Sequence, residues 1–467
     1  MRWKPVAGYL GMLGAGVAAL SFVHSIGKTL SAPPLAAGAV PFGSGSGSAA
    51  ALPSALPHVL LALAVIIVAA RAVGALFARI QQPPVIGEMI AGILLGPSLL
   101  GHAAPSLSAF ILPASVAPLL GIIAQVGVVL FMFLVGLELD TDMLRKRTQA
   151  SVAVSHASIT VPFVLGGLLA LYLYPLLSSR DVPFFTFALF IAVSMSVTAF
   201  PVLARILSDR HMQKTPLGVI ALTCAAVDDV TAWCLLALVV GVAKSTPQDA
   251  VKTLLLTLGF VALMLGAVRP RIRAWLQRRP GSVSQDAMAL LLLGLLLSSL
   301  VTEAIGIHAL FGAFLFGAVI PHDSALAHEV GDKLTDVVVV LFLPAFFAFT
   351  GMRTQIGLVA GLDHWAIVAL IVLVATVGKF GGSFVAARLT GLQTRDAAGL
   401  GVLMNTRGLM ELVVLNVGLD LRVVSPTLFT MLVLMALFTT FMTTPLLHVL
   451  RGREARVITD STAQLLR

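Results

Sequence analysis

The chain has 467 residues, of which 58% are hydrophobic and 11% charged, with a mean hydropathy of +1.01. Soluble domains carry about 25% charged residues, so this composition excludes a soluble enzyme, a disordered chain and a nucleic-acid-binding protein. The formal net charge of +9 does not change that, because the basic residues are scattered between apolar runs.

A membrane-crossing helix needs about 20 mostly apolar residues. Fourteen segments are candidates: 6–24, 56–79, 84–101, 115–139, 150–174, 184–208, 216–242, 250–268, 285–303, 307–320, 335–352, 364–389, 396–420 and 425–450. The run 307–320 is short and suits half of a broken helix. The period-two alternation of a membrane β-barrel is absent, and backbone groups in lipid must be bonded within their own segment. The predicted fold is therefore an all-α polytopic membrane protein with 13–14 transmembrane helices. Arg2 and Lys4 precede residues 6–24, so 1–24 reads as an N-terminal transmembrane helix or a signal-like segment. Residues 25–55, rich in Gly, Ser, Ala and Pro, read as a flexible external linker. Residues 56–450 form the transmembrane domain, and 451–467 a cytoplasmic tail too short for a regulatory domain. Cys224 and Cys234 lie ten residues apart on one predicted helix, about 15 Å, which is too far for a disulfide.

Basic residues set the orientation. Arg71 and Arg79, Arg145–Arg147, Arg205 with Arg210 and Lys214, Arg269–Arg279, Lys333, Arg388 with Arg395, and Arg451–Arg456 fall in every second loop. The positive-inside rule places those loops and the C-terminus in the cytoplasm. A weak repeat is also present. AGILLGP (91–97) resembles GAFLFGAVIP (312–321), FMFLVGLELD (131–140) resembles FFAFTGMRTQ (346–355), and the spans of 150–242 and 364–450 follow in the same order. The third span matches the tenth, an odd number of crossings later, so the repeats are inverted in the membrane. Inverted repeats are a common plan of secondary transporters, with ion sites near the midplane at broken helices.

Ionisable residues inside spans are functional candidates by default. Asp228 and Asp229 lie mid-span, as does Lys379, and Glu411 follows Arg407 by one turn; Glu88 is nearer a span end, within reach of the interface. Two adjacent carboxylates at bilayer depth do not both ionise cheaply, and a nearby lysine favours the ionised form of one. Such a trio holds a proton or a monovalent cation, but not both. Hard cations take oxygen ligands. Adjacent helix residues point about 100° apart, so one aspartate can face the ion path and the other Lys379. The competing reading is a static buried ion pair that fixes helix packing.

In the preceding span Ser194, Ser196, Thr198 and Pro201 interrupt an apolar helix. Pro201 frees a carbonyl about one turn earlier, near Val197, and the hydroxyls re-satisfy the backbone or ligate an ion. The counterpart in the second repeat is LMNTRGLMELVV, with Asn405, Thr406, Arg407 and Gly408. Half-helix ends at both breaks would aim their dipoles at the crossing. Arg407 is suited to neutralise a buried dipole end or to pair with Glu411. His156, His308 and His322 lack transition-metal spacing, and Glu138 and Asp140 suit a solvated cytoplasmic helix end. The sequence holds no nucleotide-binding fingerprint, so neither nucleotide nor any other cofactor is expected.

These residues resemble a monovalent cation:proton antiporter of the second branch of that superfamily, which includes Kef-type potassium efflux systems and plant and fungal cation/proton exchangers. The resemblance is carried by PPVIGEMIAGILLGPSLLG (83–101), LFMFLVGLELD (130–140), SMSVTAFPVLARIL (194–207), CAAVDDVTAW (224–233), GIHALFGAFLFGAVIP (306–321), FLPAFFAFTGMRT (342–354), GKFGGSF (378–384) and GVLMNTRGLMELVVLNVG (401–418). It implies two crossing discontinuous helices and a separate dimerisation scaffold. Asp229 matches the ion- and proton-carrying acid of such antiporters, Asp228 the first position of the acidic pair, and Lys379 the basic residue that pairs with it. The expected function is electrogenic exchange of Na⁺ or K⁺ for protons in the inner (plasma) membrane by a homodimer. Asp228 and Asp229 are the expected metal ligands, with Ser196, Thr198 and the Val197 carbonyl completing the coordination. Two alternatives are a sodium-coupled organic-anion symporter of related fold and a non-transporting membrane sensor on an antiporter scaffold.

Overall fold

The computed structural model describes residues 3–33, 52–113, 115–138, 149–210, 212–213, 215–244, 247–277 and 284–451. Most of the predicted linker, the predicted tail after 451, and Asp140, Arg145–Arg147, Lys214, Arg278 and Arg279 lie outside the described residues.

The described chain is all-helical. The first six long elements are α1 (Trp3–Gly27), α2 (Leu52–Arg79), α3 (Pro84–Leu95), α4 (Ala117–Glu138), α5 (Gln149–Leu177) and α6 (Phe184–Ser196). Then come α7 (Phe200–Asp209), α8 (Pro216–Lys244), α9 (Pro247–Leu263), α10 (Gln285–Ile305), α11 (Ala309–Val319) and α12 (Ala325–Val337). The last six are α13 (Leu343–Arg353), α14 (Gly361–Thr376), α15 (Gly382–Leu389), α16 (Thr394–Met404), α17 (Leu409–Asp420) and α18 (Pro426–Arg451). Among the described residues 12 helical stretches are long and apolar enough to cross a membrane, and Gly14–Gly27 and Ala309–Val319 are shorter apolar helices. Proline opens α3 and α8, where its missing N–H has no intrahelical acceptor to lose. Ser284 and Ser324 cap α10 and α12 through the amides of Ala287 and Ala327, each at 3.2 Å.

Two segments differ from the apolar pattern. Lys333 sits on α12, not in a loop, and pairs with Glu329 one turn earlier at 2.7 Å. Helix α12 continues through a π-helical turn, Val338–Phe342, into α13. Arg269, Arg271 and Arg273 likewise lie on a helix, Arg269–Gln277, that continues α9 through a second π turn. Hydropathy marks where the apolar layer ends; charged helix-formers carry both helices beyond it, and a serine cap starts α12 there. The fragment α11 spans about 16 Å, half of a hydrocarbon core of about 30 Å.

The helices form two packed groups. Helices α2, α3, α4, α10, α11 and α13 make one, the scaffold; α5, α6, α7, α8 and α14–α18 make the other, the core, with α1 laid against α5 and α6. The scaffold packs reciprocally: α3 on α13, and α11 on α4. The first helix of each repeat therefore packs on the second helix of the other, as inverted repeats require. Glycine sets these approaches. A Cβ on Gly136 of α4 would stand 2.2 Å from the Phe314 carbonyl oxygen of α11, and one on Gly317 of α11 would stand 2.3 Å from the Phe133 carbonyl oxygen of α4. Between helices in lipid, such close backbone contact replaces the hydrophobic drive.

Gly317→Ala is expected to destabilise the protein by about 1–3 kcal/mol through forced separation of the two backbones. Gly331→Ala in α12, where a Cβ meets nothing within 4 Å, serves as control. Thermal unfolding of detergent-purified variants checks this; equal midpoints for the two would contradict it.

Candidate ion-binding site

Two core helices stop inside the apolar layer. Val197–Ala199 separate α6 from α7 in extended conformation, and Asn405–Gly408 separate α16 from α17. The breaks cross: the Ala199 amide donates to the Thr406 carbonyl at 3.1 Å. Pro201 is the second residue of α7, so it starts the new half-helix.

Helix α8 carries both aspartates past this crossing. Asp228 is fully buried and accepts four hydrogen bonds. They come from Ser155 Oγ at 2.9 Å, Ser158 Oγ at 2.6 Å, Thr198 Oγ1 at 2.9 Å and Lys379 Nζ at 3.2 Å. Lys379, on the π turn between α14 and α15, also donates to Thr198 Oγ1 at 2.5 Å. Asp229 is 2% exposed, and neither of its carboxylate oxygens has a hydrogen-bond partner. The amide of Phe200, at the N-terminus of α7, faces its carboxyl without closing a full hydrogen bond. Neighbouring side chains on a helix diverge by about 100°; that divergence puts one acid among four donors and leaves the other with no side-chain donor among the described residues. A buried carboxylate without partners is costly unless a proton or a cation neutralises it.

The second break is closed by a different set. Arg407, fully buried, donates from Nη1 to the Ser194 carbonyl at 2.6 Å and to Glu411 Oε2 at 2.8 Å, and from Nη2 to the Met195 carbonyl at 2.7 Å. Arg407 thus both neutralises the C-terminal end of α6 and pairs with Glu411. Ser194 Oγ donates to the other Glu411 oxygen at 2.5 Å. Thr406 Oγ1 lies 3.4 Å from Thr443 Oγ1. Asn405 Oδ1 is buried without a partner.

Other candidates sit elsewhere. Ser196 Oγ is turned back onto the carbonyls of Ala192 (2.7 Å) and Ile159 (3.1 Å). Glu88, expected near the interface, is only 9% exposed, on α3 in the scaffold against α2. Glu138 is exposed at the end of α4. His156 holds the Val152 carbonyl, and His308 Nδ1 accepts from the amide of Leu310, the second residue of α11. Among the described residues no group of three or more His, Cys, Asp or Glu is placed to hold a metal. Cys224 is buried and Cys234 exposed, and no disulfide joins them.

Sequence reasoning did not find Ser155 and Ser158, two of the four donors to Asp228. Nor did it find Thr440 on α18, whose hydroxyl donates to the Arg407 carbonyl at 2.7 Å and accepts from the Arg407 amide at 3.1 Å. The signal available was spacing: Ser151, Ser155 and Ser158 share one face of an apolar helix.

Removing one partner of a buried ion pair costs about 3–5 kcal/mol, whereas removing both is far milder. Arg407→Leu and Glu411→Leu are each expected to lower the unfolding midpoint sharply, and the double variant to recover at least half of the larger loss. Additive losses in the double variant would contradict a mutual pair.

Residues 59–449 match the family described as sodium/hydrogen exchanger, transmembrane. Among curated proteins, the chain is 45% identical to Na(+)/H(+) antiporter NhaS4 of Synechocystis sp., over 83% of this chain and 96% of that protein. It is 40% identical to Cation/H(+) antiporter 20 of Arabidopsis thaliana over 84% of this chain and 48% of that one. It is 35% identical to K(+)/H(+) antiporter 1 of Saccharomyces cerevisiae over 79% of this chain and 44% of that one. The chain spans about half the length of these plant and yeast relatives. Among solved structures, the sodium proton antiporter MjNhaP1 from Methanocaldococcus jannaschii superposes with a TM-score of 0.62 at 15% identity, over 86% of this chain and 97% of that one, so the fold is shared. The chain is a multi-pass membrane protein that belongs to the sodium/hydrogen exchanger family.

Proposed function

We propose that the protein is a secondary antiporter that exchanges Na⁺ or K⁺ for protons, with Asp229 as the carrier of both. The observation that carries this is the contrast between two adjacent buried acids. Asp228 is saturated by donors and held by Lys379; among the described residues Asp229 has no side-chain donor, only the Phe200 amide facing it. An acid of the second kind is neutralised by a proton or by a hard cation, and the two exclude each other. Family membership and relatives named for Na⁺/H⁺ and K⁺/H⁺ exchange support the same reading.

In this mechanism a cytoplasmic cation displaces the proton from Asp229. Asp228 then turns part of its charge from Lys379 to the cation, and Thr198 and the Val197 carbonyl supply further oxygens, joined by Ser196 once its hydroxyl swings away from the Ala192 and Ile159 carbonyls. Asn405 and Thr406 of the second break line the same crossing, while Arg407 and Glu411 hold the half-helix ends. The core then moves against the scaffold, and a proton taken from outside resets Asp229. When Asp228 turns to the cation, Lys379 also gives up its proton, and it takes one back when the cation leaves; two protons then exchange for one cation, which makes the exchange electrogenic. We further propose an inner (plasma) membrane location, a cytoplasmic C-terminus, assembly as a homodimer through the scaffold, and no cofactor, since the ion gradient supplies the free energy.

In everted vesicles, addition of Na⁺ or K⁺ is expected to dissipate a preformed pH gradient. Asp229→Asn is expected to abolish that response. Li⁺, Na⁺, K⁺ and Rb⁺ in series identify the cation. Dissipation at the unmodified rate by Asp229→Asn would overturn the assignment.

A further inference from the structure

The repeat sets two charged residues of the scaffold in register. FMFLVGLELD aligned with FFAFTGMRTQ places Gly136 on Gly351 and Glu138 on Arg353. Glu138 ends α4 and Arg353 ends α13, at the cytoplasmic and external faces respectively by the loop charges. Aligning Thr198 with Thr406 at the two breaks places Ser208 of α7 on Asn416 of α17. Arg205 lies one helical turn before Ser208.

Only one of these two meeting points is closed. On the external side Arg353 is 4% exposed, donates to Asn416 Oδ1 at 2.9 Å, forms an ion pair with Asp420, and lies over the Phe349 ring at 5.2 Å. Asn416 in turn donates to Thr350 Oγ1 at 2.8 Å. These bonds tie scaffold helix α13 to core half-helix α17. On the cytoplasmic side Glu138, Arg205 and Ser208 are all exposed. Glu138 borders a cavity of about 290 Å³ shared with His322, His328 and Asp332. Among the described residues the Glu138 side chain has no hydrogen-bond or ion-pair partner.

We infer that Arg353 and Glu138 are alternating latches: Arg353 locks the core to the scaffold externally in the state seen here, and Glu138 locks it at the cytoplasmic face in the opposite state by pairing with Arg205. The inversion of the repeats gives the reason. Exchanging the conformations of the two halves brings α7 against α4 as α17 now lies against α13. The charge order is reversed between the faces, with the base on the scaffold outside and the acid on the scaffold inside. The core supplies the complement in each case, Asp420 outside and Arg205 inside. A core that moves as a body cannot satisfy both pairs at once. Asp420 is 45% exposed, so the external pair is hydrated and can open, unlike the fully buried pair of Arg407 and Glu411.

This inference rests on the exchange reading for its purpose, but its test reads access and not transport, so the two fail separately. The reporter is Ser208→Cys in the full chain with Cys234→Ser, labelled in everted vesicles by a membrane-impermeant maleimide. Loss of the external latch shifts the population toward the opposite state. Arg353→Gln is therefore expected to slow labelling by about threefold or more, and adding Glu138→Gln to bring it back to within about twofold of the parent. Arg353→Lys, which keeps the charge but loses the fork, is expected to slow it less, and serves where Arg353→Gln folds poorly. Labelling that Arg353 substitution leaves unchanged, or slows equally with and without Glu138, would overturn the proposal.

Discussion

Two helices of this protein end in the middle of an apolar layer, and the backbone groups they leave unbonded govern what is placed around them. Lipid offers those groups no partners. At the first break, the carbonyls of Ser194 and Met195 are taken by the guanidinium of Arg407 from the other break. At the second, the hydroxyl of Thr440 takes both polar groups of Arg407's own backbone. The two breaks are also bonded directly, Ala199 to Thr406. The first break is thus completed by the second, and the second by α18 and by the first.

That mutual closure fixes the charge balance. Arg407 and Glu411 cancel each other, and Lys379 cancels Asp228. Asp229 is left over. A buried cluster with one uncompensated negative charge is driven to take a single positive one. A proton and an alkali cation satisfy it equally well in charge, but they need the same oxygens. The two repeats have diverged in just this respect: Thr198 at the first break meets an acid of α8, whereas Thr406 at the second meets a hydroxyl of α18. On the proposed function, one half holds the exchangeable charge and the other holds the frame.

Much of this was legible in the residues because a membrane constrains sequence so strongly. Apolar runs long enough to span, with basic loops between them, mark the helices, and polar residues beside Pro201 and Gly408 mark the breaks. Asp228, Asp229, Lys379, Arg407 and Glu411 stood out as charges in oil. Hydroxyls did not. Serine and threonine in an apolar helix usually bond the carbonyl a turn earlier, as Ser196 does here. Nothing local distinguishes it from Ser158, which reaches Asp228 from another helix. The continuous helix from α12 into α13 was hidden for a different reason: its charged first turns lie outside the apolar layer that hydropathy detects.

The central claim is that proton and cation compete for Asp229, and the most direct measurement is equilibrium cation binding to the purified protein as a function of pH. The account predicts that each bound cation releases the Asp229 proton and, as Asp228 turns away, that of Lys379. The apparent dissociation constant should then rise by about tenfold or more for each unit of acidification below the titration of these groups. A dissociation constant that stays constant across that range, with no proton released, would contradict it.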